Sequence, residues 1–279
     1  MIDYFNIEKV NDKITAIRSR SGEIMYLVEG EKKAVLIDTC VGVKGLCDVI
    51  KKITDKPVTV LLTHGHMDHA MGAAEFEEVF MNLADLKLYR EQSCLKDRKN
   101  YIEISIGRKE DWMNDDNNFV LETVNQFHEL RDGDRFELGG ISVEAYSLGG
   151  HTAGTMVMLI PEKRILITGD ACNNATFLFA PESLSVEEYK RNLQHVDKRL
   201  NGKYDECFMM HHVIKASGAL LKNVISLCDE ILCGHVDDMP YEFMGQINYV
   251  AKKADNQFIR ADGGEGNIIY SKQKILETR

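Results

Sequence analysis

The chain has 279 residues, enough to bury a substantial core. Its hydrophobic share of 44% and charged share of 28% are those of a globular protein, and Lys+Arg of 34 against Asp+Glu of 44 leave a formal charge of −10. That acidic balance speaks against a nucleic-acid partner, and no apolar run approaches the roughly 18 residues of a membrane span.

Residues 1–9 lack a basic stretch followed by an apolar one, so no secretory signal is expected. Seven scattered cysteines without a C-x-x-C pair read as reduced thiols of a cytoplasmic protein. Residues 13–19, 25–29 and 34–38 are predicted strands, with 29–33 a hairpin connection. A helix is predicted over 43–53, with Leu46, Cys47, Ile50 and Ile53 along one face. The β-branched and leucine-rich run 58–63 reads as a buried strand, and at its end stands His64-Gly-His66-Met-Asp68-His69. Alternation puts His64 and His66 on one side, and the following turn brings Asp68 and His69 back toward them. Neutral imidazoles and a carboxylate converging in this way are ligands for zinc, iron or manganese.

Helix is predicted to continue over 70–76 and a strand to follow over 79–82. Residues 84–128 mix helical and irregular patterns around Trp112 to Asn118 and read as an insertion. Strands resume over 135–138, 141–147, 155–160 and 164–168. Ser185-Val-Glu-Glu188 is a capping box opening a helix with Tyr189, Leu193, Val196 and Leu200 in one stripe. Leu220, Leu221, Val224, Ile225, Cys228, Ile231 and Leu232 form a second stripe. Residues 256–260 and 267–270 are expected to pair across the glycine-rich 262–266, which lacks the lysine and helix of a phosphate loop.

The His-x-His-x-Asp-His segment resembles the signature of the metallo-β-lactamase-fold superfamily, and further segments follow in matching order. Gly149 to Thr155, with His151 at its centre, looks like the third-histidine motif. Leu166 to Ala171 looks like the strand that ends in a metal-bridging aspartate, here Asp170. Met209-Met-His211-His212 falls where the family places its last histidine. Ala34 to Thr39 resembles the early strand with its supporting aspartate, Asp38, although Cys40 replaces the glycine usual after that pair. The resemblance spans about residues 25–215.

It implies an α/β fold, an αββα four-layer sandwich of two mixed sheets flanked by helices. A single domain over 1–279 would carry a cleft-covering insertion near 83–128 and a C-terminal helix plus strand hairpin at 214–279. It places His64, His66 and His151 on one metal and Asp68, His69 and the last histidine on another, with Asp170 bridging. The family's spacing after the preceding strand favours His211 over His212. The latter, like Asp38, would then support the site or face substrate. Cys172, two residues past Asp170, reads as a buried thiol, and His128, His195 and His235 show no partner pattern.

The implied cofactor is two divalent ions, zinc with iron or manganese as alternatives. The implied chemistry is attack by metal-bound hydroxide on a small ester, thioester or lactone, with Asp68 orienting it or ferrying a proton. True β-lactamases of this fold generally lack the bridging aspartate. Two other readings stay open. One is an iron-dependent oxidoreductase like the persulfide dioxygenases, and the other a phosphodiesterase or nuclease sharing Asp-His-x-x-Gly, here Asp68 to Gly72. The expected partner is a small-molecule substrate, with no nucleic acid and no membrane, and a homodimer through the C-terminal region remains open.

Overall fold

A computed structural model describes residues 2–211, 213–243 and 245–277, and the chain divides into two compact units, Met1–Ala145 and Tyr146–Arg279. Among the described residues no helix is long and apolar enough to cross a membrane.

The first unit is built on a seven-stranded sheet in the order β1 to β7: Phe5–Lys9, Ile14–Ser19, Ile24–Glu29, Ala34–Ile37, Val58–Leu61, Val79–Met81 and His128–Glu129. The first four strands pair antiparallel and the last four pair parallel. Near-continuous apolar sequence in β3 and β4 matches strands covered on both faces. The edge strand β1 is mostly exposed and carries Glu8 and Lys9, which discourages further strand addition.

Helix α1 covers Leu46–Ile53, three residues later than the sequence suggests, because Gly45 holds φ at +107°, outside the helical region. Its first amides are capped from a distance. The Glu75 carboxylate accepts the N–H groups of Gly45, Leu46 and Cys47 at 2.9, 3.1 and 3.4 Å. The expected helix over 70–76 is broken into α2, Met67–Ala70, and a 3-10 turn at Ala73–Glu75. Met71 N–H bonds to Cys40 O, and Thr39 N–H bonds to His69 O, so this backbone is spent on the neighbouring loop instead.

Residues 83–128 hold α3, Leu86–Glu91, and α4, Leu95–Ile106. Tyr89, Ile102, Met113, Phe119 and Phe127 from this stretch join Ile17, Leu36, Leu46 and Val60 in one core. Buried Arg98 donates to the carbonyls of Val41, Val120 and Gly42, each at 2.8 Å. A hairpin of β8, Arg135–Glu137, and β9, Ser142–Ser147, closes the unit.

The second unit carries a mixed sheet whose strands run β14-β13-β11-β10: Lys215–Ser217, Glu206–Phe208, Ile165–Ile167 and Met156–Ile160. Only β11 and β13 pair parallel. A smaller sheet follows the order β12-β17-β16-β15: Thr176–Leu178, Ile268–Tyr270, Gln246–Val250 and Met239–Phe243. The capping box at Ser185 and Glu188 forms as the sequence indicates and opens α5, Val186–Leu200. Tyr189, Leu193, Val196 and Leu200 are buried along it. They share a core with Leu220, Leu221, Val224, Leu227, Cys228 and Ile231 of α6, Leu220–Leu232.

The expected pairing of 256–260 with 267–270 does not form. Strand β17 pairs instead with β16 and β12, and the hairpin of this region is β15 with β16. The cause is local: the Asp255 carboxylate accepts the N–H groups of Gln257 and Ile259 at 2.8 and 3.0 Å, and Phe258 sits at φ +59°. That geometry folds the segment into a turn.

Candidate metal centre

In the first unit the chemistry stands at the C-terminal ends of β4 and β5, where side chains of adjacent parallel strands converge. Asp38 follows β4 directly and is buried, with φ at +63°. Its Oδ1 accepts the Thr63 N–H at 2.7 Å, and its Oδ2 accepts the Thr63 hydroxyl at 2.7 Å. The same Oδ2 lies 2.6 Å from His69 Nδ1. Cys40 takes φ +63° as well, the left-handed conformation that suits the glycine it replaces.

These bonds fix ring protonation. A carboxylate only accepts, so His69 donates from Nδ1 and keeps a lone pair on Nε2. The Thr63 hydroxyl spends its single proton on Asp38, so its oxygen accepts from His64 Nδ1, 3.0 Å away. His64 is thereby left with an unprotonated Nε2, which lies 3.0 Å from His66 Nδ1. His69 Nε2 faces Asp68 Oδ2 at 3.6 Å. Two donor pairs result, His64 with His66 and Asp68 with His69.

The segment 83–128 holds this loop from outside. Asp85 accepts the Gly65 N–H at 3.0 Å, Gln92 accepts the Met67 N–H at 2.8 Å, and the Tyr101 hydroxyl donates to Asp68 Oδ2 at 3.2 Å. Burial and then the Asp68 carboxylate push the Tyr101 hydroxyl well above its usual range, so it remains a donor. None of these supports was visible in the sequence, because each lies 20 to 33 residues from the group it holds, in a stretch without a motif.

In the second unit His151 lies in the loop after β9, Asp170 in the 3-10 turn after β11, and His211 shortly after β13. His151 Nδ1 sits 2.9 Å from the carbonyl of Phe177, which can only accept, so its Nε2 too is left with a lone pair. Asp170 turns one oxygen to each histidine. Its Oδ2 is 3.7 Å from His151 Nε2, and its Oδ1 is 3.4 Å from His211 Nε2. Asn173 donates to Oδ1 at 3.1 Å and steadies the carboxylate.

Tyr189 of α5 braces both loops. Its ring occupies the space where a Cβ on Gly150 would stand, 2.2 Å from Cδ2, and its hydroxyl donates to Ala171 O at 2.6 Å. A side chain at position 150 would push His151 away from that brace. Cys172 is buried in the core, and burial pushes its thiol well above the usual range. His128, His195 and His235 are exposed, and His212 lies outside the described residues.

A family model described as the metallo-beta-lactamase superfamily matches residues 24–235, and the chain belongs to that superfamily. It is 24% identical over 195 residues to the acyl-coenzyme A thioesterase MBLAC2 of Gallus gallus, across 63% of this chain and 68% of that one. It is 24% identical over 167 residues to the hydroxyacylglutathione hydrolase GloC of Haemophilus influenzae, across 58% and 71%. A solved metallo-beta-lactamase from Pontibacter korlensis superposes with a TM-score of 0.58 at 19% identity, covering 80% of this chain and 97% of that one. Mixed sheets flanked by helices are the α/β sandwich of the superfamily. With its His and Asp metal-binding groups, the protein is a metal-dependent hydrolase that uses divalent metal.

Proposed function

We propose that the protein is a binuclear hydrolase of small carboxylic thioesters, with esters and lactones as the neighbouring substrates. His64, His66 and His151 would hold one ion, and Asp68, His69 and His211 the other, with Asp170 shared. The observation that carries this reading is the Asp170 carboxylate, whose two oxygens diverge toward two different histidines. The donors fit the group. Each of His64, His69 and His151 has its Nδ1 proton committed elsewhere, and the set is nitrogen and oxygen without thiolate, which suits zinc. Manganese and iron are the alternatives for the same donors.

Two such cations, when bound, would supply a nucleophile from water at neutral pH and would take up charge developing on the attacked oxygen. Asp68, held by the Tyr101 hydroxyl, orients the attacking water and carries its proton to the leaving group. Relatives named as an acyl-coenzyme A thioesterase and a hydroxyacylglutathione hydrolase support the thioester among the three substrates.

The test is metal content by mass spectrometry on protein purified without an affinity metal, joined to hydrolysis of a thioester panel. Two ions per chain are expected. Asp170→Asn should lose at least one of them and lower kcat/KM by about 100-fold or more. One iron per chain with oxygen uptake, or unimpaired hydrolysis by a one-metal Asp170→Asn protein, would overturn the reading.

A further inference from the structure

Strand β12 does two things at once. The Phe177 carbonyl accepts from His151, while the Phe177 and Phe179 side chains point away from the core, since Thr176 and Leu178 between and beside them are fully buried. Their rings lie 4.8 Å apart, centroid to centroid. On β15, Tyr241 and Phe243 share a face in the same alternation and stack nearly parallel at 6.2 Å.

These two strands are the opposite edges of a four-stranded sheet, and a flat sheet would hold them about 14 Å apart, three strand spacings. Yet Phe243 lies 5.7 Å from Phe177 and 5.6 Å from Phe179, and Tyr241 lies 6.2 Å from Phe177. The register explains the approach. Only Tyr249 and Val250 of β16 pair with β17, so the far end of the β15–β16 hairpin overhangs its neighbour and curls back over β12. The segment after Phe179 is pinned in turn, because Lys274 Nζ donates to the carbonyls of Pro181 and Ser183 at 3.0 and 2.7 Å.

The four rings are half-buried although they touch one another. Apolar surface left partly open beside a metal-site histidine is a surface for an apolar ligand. We propose that Phe177, Phe179, Tyr241 and Phe243 form an acyl-chain subsite, so that the substrate carries an unbranched apolar chain on the acyl side of the bond that is cleaved. This inference rests on the hydrolase reading and names its substrate class. The occupant is an alkyl chain, because the rings offer faces and edges with a single hydroxyl among them, and the patch begins at the residue that holds His151. Full burial of one methylene corresponds to about fourfold in binding.

The experiment compares kcat/KM for acetyl and decanoyl thioesters of N-acetylcysteamine in the wild type, Phe179→Ala and Phe243→Leu. Binding of the non-hydrolysable decyl thioether of N-acetylcysteamine is followed by calorimetry, with melting curves to verify folding. The wild type is expected to prefer decanoyl by tenfold or more, and both variants to lose at least tenfold of that ratio and of thioether affinity. Equal ratios in the wild type and the variants would overturn the proposal. So would variants that change only the oligomeric state, since the patch would then be a subunit contact. If no thioester is cleaved the hydrolase reading fails, and the calorimetry still decides the subsite: ring-dependent thioether binding supports it and absent binding overturns it.

Discussion

Asp38 governs two rings with one carboxylate. It accepts a hydrogen bond from His69 Nδ1 directly and orients His64 Nδ1 through the Thr63 hydroxyl, and these two histidines belong to the two different donor pairs of the first unit. Asp38→Asn replaces one oxygen with an amide donor, so the Thr63 N–H, the Thr63 hydroxyl and the His69 Nδ1 proton can no longer all be accepted. Metal affinity should fall about 10- to 100-fold, read by competition with a chromogenic chelator; an unchanged affinity would show that the tautomers need no such anchor. The thiols make a second residue-scale expectation. Cys94 and Cys233 are exposed, whereas Cys40, Cys172, Cys207 and Cys228 are buried, with burial pushing the Cys207 thiol up to about 12 and the Cys40 and Cys172 thiols well above their usual value. Iodoacetamide at pH 8 should label Cys94 and Cys233 quickly, and those four only after denaturation, as peptide mass spectrometry will read. His64, His66, Asp68 and His69 drew attention as candidate ligands through their local spacing, whereas His151, Asp170 and His211 did so only through the family resemblance. Tyr101, Asn173 and the Phe177 carbonyl were not legible, since a support is defined by where a tertiary fold brings it and carries no spacing of its own.

Helices and strands divide in the same way. Helix α5 announced itself because its cap and stripe are local, and its boundaries agree with the capping box. Helix α1 began later than its apolar pattern implied, and the cap that replaces a local one comes from Glu75, about 30 residues away. Glu75→Ala leaves three amides at a helix start without that acceptor and should cost about 1–2 kcal/mol in urea unfolding, with Glu75→Gln costing less. A cost near zero would mean that water serves those amides equally well. Strand β17 was placed correctly but given the wrong partner. Its neighbours β12 and β16 are separated from it by very different lengths of chain, and turn-forming Asp255 removed the nearby candidate.

On the scale of the whole molecule, the family and its αββα layering were readable from order alone, because the motifs recur in the family's sequence from residue 34 to residue 211. The partition into two compact units was not, since the division falls inside β9, an uninterrupted strand without a linker signal. Ions bound by the folded chain alone stabilise it, by about 4 kcal/mol at a thousand times Kd. Chelation should therefore lower the urea midpoint markedly, and restoring metal should return it; an unmoved midpoint would mean that binding contributes little to stability. The bond from His151 to Phe177 has a separate consequence for how this protein can change. The histidine proposed as a metal ligand is steadied by a main-chain oxygen, which every amino acid possesses, while the ring at position 177 is the part proposed to meet substrate. Replacing that ring can redraw the substrate range without erasing the contact that orients the histidine. Position 177 is thus a place where mutation can explore new specificities from generation to generation while the reactive centre is inherited intact.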